Sequence, residues 1–104
     1  MDVGCGYGFF SREALNAGFT VSPLELSDTE RGIAAQISGV QPVASSFEEY
    51  KGEANSVEVV LMSQILEHVL DINEWVAKAK ELLVDDGILV VALPNFGSLF
   101  RRIM

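Results

Sequence analysis

The sequence predicts an α/β domain, with about five strands in a parallel sheet and helices on its faces. Two observations carry this. Short apolar runs alternate with stretches of helical periodicity along the chain. A glycine-rich turn, "DVGCGYGFF" from Asp2 to Phe10, stands between the first run and the first helical stretch. The connections should be right-handed. At 104 residues the chain suffices for one domain, 1–104, with one core.

The elements follow in order. Residues 1–3 read as the end of a strand. "FFSREALNAG" follows as a helix, with Phe10, Ala14 and Ala17 on one face, Phe9 and Phe10 expected to pack on the sheet, and Gly18 as the stop. "FTVSPLEL" (19–26) is a second strand; Pro23 removes a ladder donor, so irregularity is expected there. In "SDTERGIAAQI", Ser27 and Glu30 form a capping box that starts a helix at Asp28. "VQPVA" (40–44) is a weaker third strand, and "SSFEEYKGEANS" is polar and irregular. "VEVVLM" (57–62) has the β-branched character of a buried parallel strand. "DINEWVAKAKELLV" repeats the cap with Asp71 and Glu74. Its apolar face is Ile72, Trp75, Val76, Ala79, Leu82 and Leu83, and Glu74 with Lys78 makes an i,i+4 pair. "DDG" (85–87) is a turn, and "ILVVALP" (88–94) is the strongest strand, ended by Pro94.

Composition narrows the function classes. Hydrophobic residues at 49% and charged residues at 21% place the chain among globular and not disordered proteins. No apolar run reaches the ~20 residues of a membrane helix, and no signal peptide is expected. A formal net charge of −8 argues against broad capture of nucleic acid, leaving Arg101 and Arg102 as a local basic spot. Cys5, the single cysteine, excludes an internal disulfide or a cysteine-built zinc site and fits a reducing cytoplasm.

Gly4, Gly6 and Gly8 read G-x-G-x-G. The dinucleotide fingerprint needs glycine at position 9, which is Phe9, and a phosphate P-loop needs a G-K-S/T ending, which is absent. The loop therefore suits a nucleoside with little provision for a pyrophosphate. In "VSPLELS", Glu25 stands at the end of the second strand. A carboxylate there either is a solvated strand end or accepts hydrogen bonds from both ribose hydroxyls. With the glycine loop at this distance, ribose binding is the better reading.

"DVGCGYG", "LELS", "QILEHVLD" and "LLVDDGILVVALPN" in this order resemble the successive motifs of class I S-adenosylmethionine-dependent methyltransferases. The resemblance is nearest to the group that includes ubiquinone-biosynthesis O-methyltransferases, and it runs from Asp2 to about Ser98. It implies a Rossmann-like sheet of order 3-2-1-4-5, lacking the last two strands of the full methyltransferase fold. It implies S-adenosylmethionine as cofactor, S-adenosylhomocysteine as product, and a small-molecule methyl acceptor. Asp2, Gly4, Gly6 and Gly8 would line the methionine end, Glu25 would hold the ribose, and Leu26 would lie against the adenine. Ser46 and Phe47 fall where the family places an acid and an apolar neighbour around the adenine, with Ser46 replacing the acid. Met62, Ser63 and Gln64 would surround the methionine portion.

Methyl transfer from a sulfonium needs alignment of donor and acceptor, exclusion of water, and a base where the acceptor must lose a proton. His68, the only histidine, is the candidate catalytic base; the alternative is that Glu67 and His68 cap a short helix. Some relatives carry a metal site as E-x-x-E-H, but Gln64 occupies its first position here, so no metal is expected. Cys5 reads either as a thiol activated near a helix N-terminus or as a small residue beside the glycines. Trp75 is expected in the core, and Tyr7 could contact substrate.

The chain is read as truncated at both ends relative to that family. The 88–94 strand should then be an exposed apolar edge. The tail "FGSLFRRIM" (96–104) would cover this edge or join a homodimer through it. The expected activity is therefore a small-molecule methyltransferase, as enzyme or as its cofactor-binding core. The alternative is an inactive methyltransferase-like remnant serving as a dimerisation or interaction module. A nicotinamide-binding oxidoreductase is disfavoured by Phe9.

Overall fold

A computed structural model describes residues 1–92 of the chain. The elements run β1 (Asp2–Val3), α1 (Phe9–Asn16), β2 (Pro23–Leu24), α2 (Asp28–Ser38), β3 (Val57–Ser63), a 3-10 turn (Leu66–His68), α3 (Ile72–Leu82) and β4 (Leu83–Ala92). They form a parallel four-stranded sheet of order β2-β1-β3-β4. A single parallel bridge, Leu24 to Val43, extends it beyond β2. The expected 3-2-1-4-5 order is thus present, with the 40–44 strand reduced to that bridge and the 19–26 strand to two residues. Proline explains both reductions. Pro23 and Pro42 bring no N–H, so the ladder is limited to Val43 N–H on the Pro23 carbonyl and Glu25 N–H on the Val43 carbonyl.

Both predicted caps form. Ser27 accepts the N–H of Glu30 at 3.3 Å, and Asp71 accepts that of Glu74 at 3.1 Å. α2 starts at Asp28 as expected. α3 stops at Leu82, two residues before the expected end. The N–H groups of Asn55 and Ser56 take its last carbonyls, those of Glu81 and Leu82, so the helix closes without a C-terminal glycine. The "DDG" turn falls inside the span of β4, where the register against β3 shifts between Val57 and Val59. Gly87 is pressed there against Leu83, since a Cβ would come within 2.9 Å of the Leu83 side chain.

α1 and α3 lie on opposite faces, since Phe10 and Ala14 share a groove with Val57, Val59 and Leu61 while Trp75, Ala79 and Leu82 pack with Val60 and Met62, as right-handed crossovers would require for this strand order. The core lies on the α3 face, where Phe47, Val60, Met62, Trp75, Ala79 and Leu82 pack together. The Phe47 and Trp75 rings sit 5.0 Å apart, tilted by 53°. Trp75 is buried as expected, and its Nε1–H reaches Oε1 of Glu48 at 2.7 Å. The apolar stripe of α3 is narrower than its periodicity predicts: Trp75, Ala79 and Leu82 are buried, while Ile72 and Val76 are exposed. Lys78 does not serve as the Glu74 partner. Its Nζ donates to the Glu48 carbonyl at 2.7 Å and lies over the Phe47 ring.

The α1 expectation needs correction. Phe9 and Phe10 are 53% and 58% exposed, and the residue turned inward is Ser11. Its hydroxyl donates to the buried Asp2 carboxylate at 2.7 Å, so a polar pair, and not a phenylalanine, seats the helix. A groove of about 640 Å³ lies here, lined by Phe10, Ala14, Val57, Val59, Leu61 and Val90. β4 is the outer strand among the described residues, and its Ile88, Val90 and Val91 side chains are exposed. Pro94 and the 96–104 tail lie outside the described residues.

Candidate functional site

Register builds the site. Val3 pairs with Leu24 on one side and Met62 on the other, so Gly4 and Glu25 leave the sheet at one level, beside Ser63, the last residue of β3. This is the carboxyl edge, at the point where the strand order reverses about β1, and such switch points open into a crevice.

The glycine loop is fixed to β2 by the Cys5 N–H on the Leu24 carbonyl at 2.9 Å. It is fixed again by Gly6, whose N–H donates to Oε1 of Glu25 at 2.9 Å. The second oxygen, Oε2, accepts the Ser27 N–H at 2.9 Å. One carboxylate therefore closes the loop and caps α2. A carboxylate offers about four lone-pair sites, so these two bonds do not exhaust its capacity for further donors such as a ribose hydroxyl. Gly6 sits at φ +57 with open space where a Cβ would be, and Gly8 at φ +86 lies against Ala34 of α2. A Cβ on Gly4 would come 2.5 Å from Cδ1 of Ile65.

The expected site residues divide into two groups. Gly4, Glu25 and Ser63 stand at one level of the carboxyl edge, Gly6 is bonded to Glu25, and Gln64 follows Ser63 in the chain. Leu26 is 62% exposed beside it. Gln64 holds φ +53, a left-handed backbone that costs a non-glycine residue free energy. Asp2 turns to the α1 face and its partner there is Ser11, while Gly8 caps α1. Ser46 uses its hydroxyl to accept the Glu49 N–H at 3.2 Å. Phe47 and Met62 are 1% and 0% exposed, so both support the crevice from within the core.

His68 ends the 3-10 turn at the expected short helix and is exposed. With Glu48, Ile65, Val69, Asp71 and Trp75 it lines a hollow of about 400 Å³. Ile65 connects this hollow to the glycine loop, because its side chain packs where Gly4 has none. Sequence reasoning missed Ile65 and Ser11, whose parts depend on contacts between elements.

Electrostatics settles the reading of Cys5. Burial, and then the Asp2 and Glu25 charges, push its thiol up to about 12, so it is an inert small residue of the loop. Asp2 is raised, chiefly by burial, against the lowering effect of the Ser11 bond. Glu30 is raised, first by the Glu25 charge, then by burial and by a hydrogen bond between the two carboxyl groups. No group of three or more potential metal-ligating side chains occurs among the described residues.

Helices on both faces of a parallel sheet, a glycine turn at its switch point and a carboxylate ending the next strand define a Rossmann-type nucleotide-binding domain. Residues 1–91 match the family model described as a methyltransferase domain, and the chain belongs to that family. It is 30% identical over 101 residues to a ubiquinone biosynthesis O-methyltransferase of Caulobacter sp. strain K31, covering 91% of this chain and 40% of that protein. The chain thus spans about 40% of the length of this curated relative. In fold it is similar to a putative S-adenosylmethionine dependent methyltransferase from Listeria monocytogenes. That match has a TM-score of 0.82 and 22% identity, covering 88% of this chain and 45% of the other. The plantazolicin methyltransferase BpumL, solved with S-adenosylhomocysteine, superposes with a TM-score of 0.79 at 13% identity, covering 96% and 40%.

Proposed function

We propose that the chain is the S-adenosylmethionine-binding core of a methyltransferase that acts on a small-molecule acceptor. The observation that carries this is the Glu25 carboxylate, held by the Gly6 and Ser27 N–H groups at the sheet's switch point. The residues fit the cofactor: Gly6 leaves open space, Glu25 keeps lone pairs for a ribose diol, and Leu26 offers an exposed apolar face to an adenine. The bound sulfonium would supply an activated methyl group. Gly4, Gly6, Ser63 and Gln64 would hold the amino-acid end, with Asp2, Gly8, Ser46, Phe47 and Met62 shaping the site from behind. His68 would accept the acceptor's proton from the adjoining hollow. No metal takes part in this reading, nor is nucleic acid a partner, and the setting is the cytoplasm. Among the described residues no helix is long and apolar enough to cross a membrane.

Calorimetric titration with S-adenosylhomocysteine tests the reading. Binding by the wild-type chain, weakened by Glu25→Ala, is expected; no heat at high protein concentration would overturn it.

One observation favours a second reading, as an interaction module: the apolar outer edge of β4. A homodimer through this edge and the 96–104 tail is its form. Light scattering that shows a monomer at all concentrations would count against it.

A further inference from the structure

We infer that Arg31 is a positioning residue for the ribose-binding carboxylate, fixing the turn between β2 and α2 so that Glu25 faces a diol. The inference rests on the cofactor reading above.

Arg31 lies in the first half of α2, where its own N–H donates to the Ser27 carbonyl at 2.9 Å. Its side chain reaches back along the helix toward the N-terminus, the direction helical side chains take. Only 15% of that side chain is exposed. Nη1 donates to the Glu25 carbonyl at 3.0 Å and to the Leu26 carbonyl at 2.6 Å, and Nη2 bonds the Asp28 carboxylate. The fork thus spans the turn that joins the sheet to the helix.

The consequence is geometric. The orientation of the Glu25 carbonyl sets that residue's backbone angle, and so where its carboxylate points, while the bond to the Leu26 carbonyl ties the turn to α2. Glu25 is held at both ends, by Arg31 at its carbonyl and by Gly6 and Ser27 at its carboxylate. Ser27 N–H goes to Glu25 and not to Glu30, so the capping box is only half closed and the Glu30 carboxyl is left beside Glu25. Glu25, Asp28 and Glu30 crowd this turn with negative charge, which the guanidinium offsets. A lysine cannot replace the fork, since one ammonium does not reach two carbonyls and a carboxylate in a fixed plane.

The test is calorimetric titration with S-adenosylhomocysteine and with its 2′,3′-dideoxy analogue. It uses the wild-type chain, Arg31→Met, Glu25→Gln and the double variant, with thermal melts alongside. Arg31→Met is expected to weaken S-adenosylhomocysteine about tenfold, on the scale of one charge-assisted hydrogen bond. It should change binding of the dideoxy analogue less than about twofold and add no further loss to Glu25→Gln. If Arg31→Met does not fold, Arg31→Lys carries the same comparison, with a loss of about threefold expected for the diol ligand alone. Equal loss for both ligands, or additive losses in the double variant, would overturn the positioning role. An absence of binding by the wild-type chain would instead overturn the cofactor reading beneath it.

Discussion

Gly6 donates its backbone N–H to Oε1 of Glu25 across 2.9 Å, tying the glycine loop to the end of β2. The loop is thereby preorganised, and each glycine in it carries a different burden.

Gly6→Ala and Gly8→Ala should therefore fail differently. A methyl on Gly6 meets open space, so only the left-handed backbone is penalised, by about 1–2 kcal/mol. That methyl would stand in the crevice, so ligand affinity should fall by far more than stability does. A methyl on Gly8 would lie 3.0 Å from Cα of Ala34, adding about 1–3 kcal/mol of overpacking between α1 and α2. Urea denaturation together with S-adenosylhomocysteine titration separates the two effects.

Gly4 and Ile65 should be energetically coupled. Gly4→Ala drives a methyl into Cδ1 of Ile65, and Ile65→Val removes that atom. The Ile65→Val change alone should cost about 0.5–1.5 kcal/mol. In its background the cost of Gly4→Ala should shrink by about 1 kcal/mol, read as non-additivity in a double-mutant cycle. Strict additivity would mean that Ile65 rotates away freely.

What was legible in the sequence was local. The caps at Ser27 and Asp71 depend on chemistry three residues apart, and both formed where expected. Glu25 was legible because the length of a β-α-β unit fixes its distance from the glycine loop. The parts of Ser11, Arg31 and Ile65 were not, because each depends on a side chain reaching another element. Periodicity gave α1 an apolar face but could not say what covers it, and Phe10 proved exposed. Family spacing placed Phe47 and Met62 at the cofactor but did not show that both side chains belong to the buried core cluster.

Cys5 should be unreactive in the native chain. Its thiol, pushed up to about 12, is almost wholly protonated at neutral pH, and only the thiolate attacks. Iodoacetamide at pH 7.5–8 (near the ordinary thiol value of ~8.5) should label it slowly when folded and far faster in urea. Equal rates would mean that the loop opens readily.

Asp2 supplies a pH dependence whose sign can be fixed. Burial raises its folded pKa above the unfolded value of about 3.9, while the Ser11 bond only partly opposes this. The native chain therefore holds this proton to higher pH than the unfolded chain does. The stability the group contributes is present below the unfolded value and is lost as pH rises through the folded value. Asp2→Asn keeps an oxygen to accept the Ser11 hydroxyl and cannot ionise. From pH 4 to pH 7, urea midpoints of the wild-type chain should fall relative to those of Asp2→Asn. Converted to unfolding free energy through the m-value, the slope should be at most about 1.4 kcal/mol per pH unit, the limit for one proton. Parallel profiles would show that Asp2 titrates as it does in the unfolded chain, and the buried carboxylate under α1 would then have to be hydrated through the groove that Phe10 and Leu61 line.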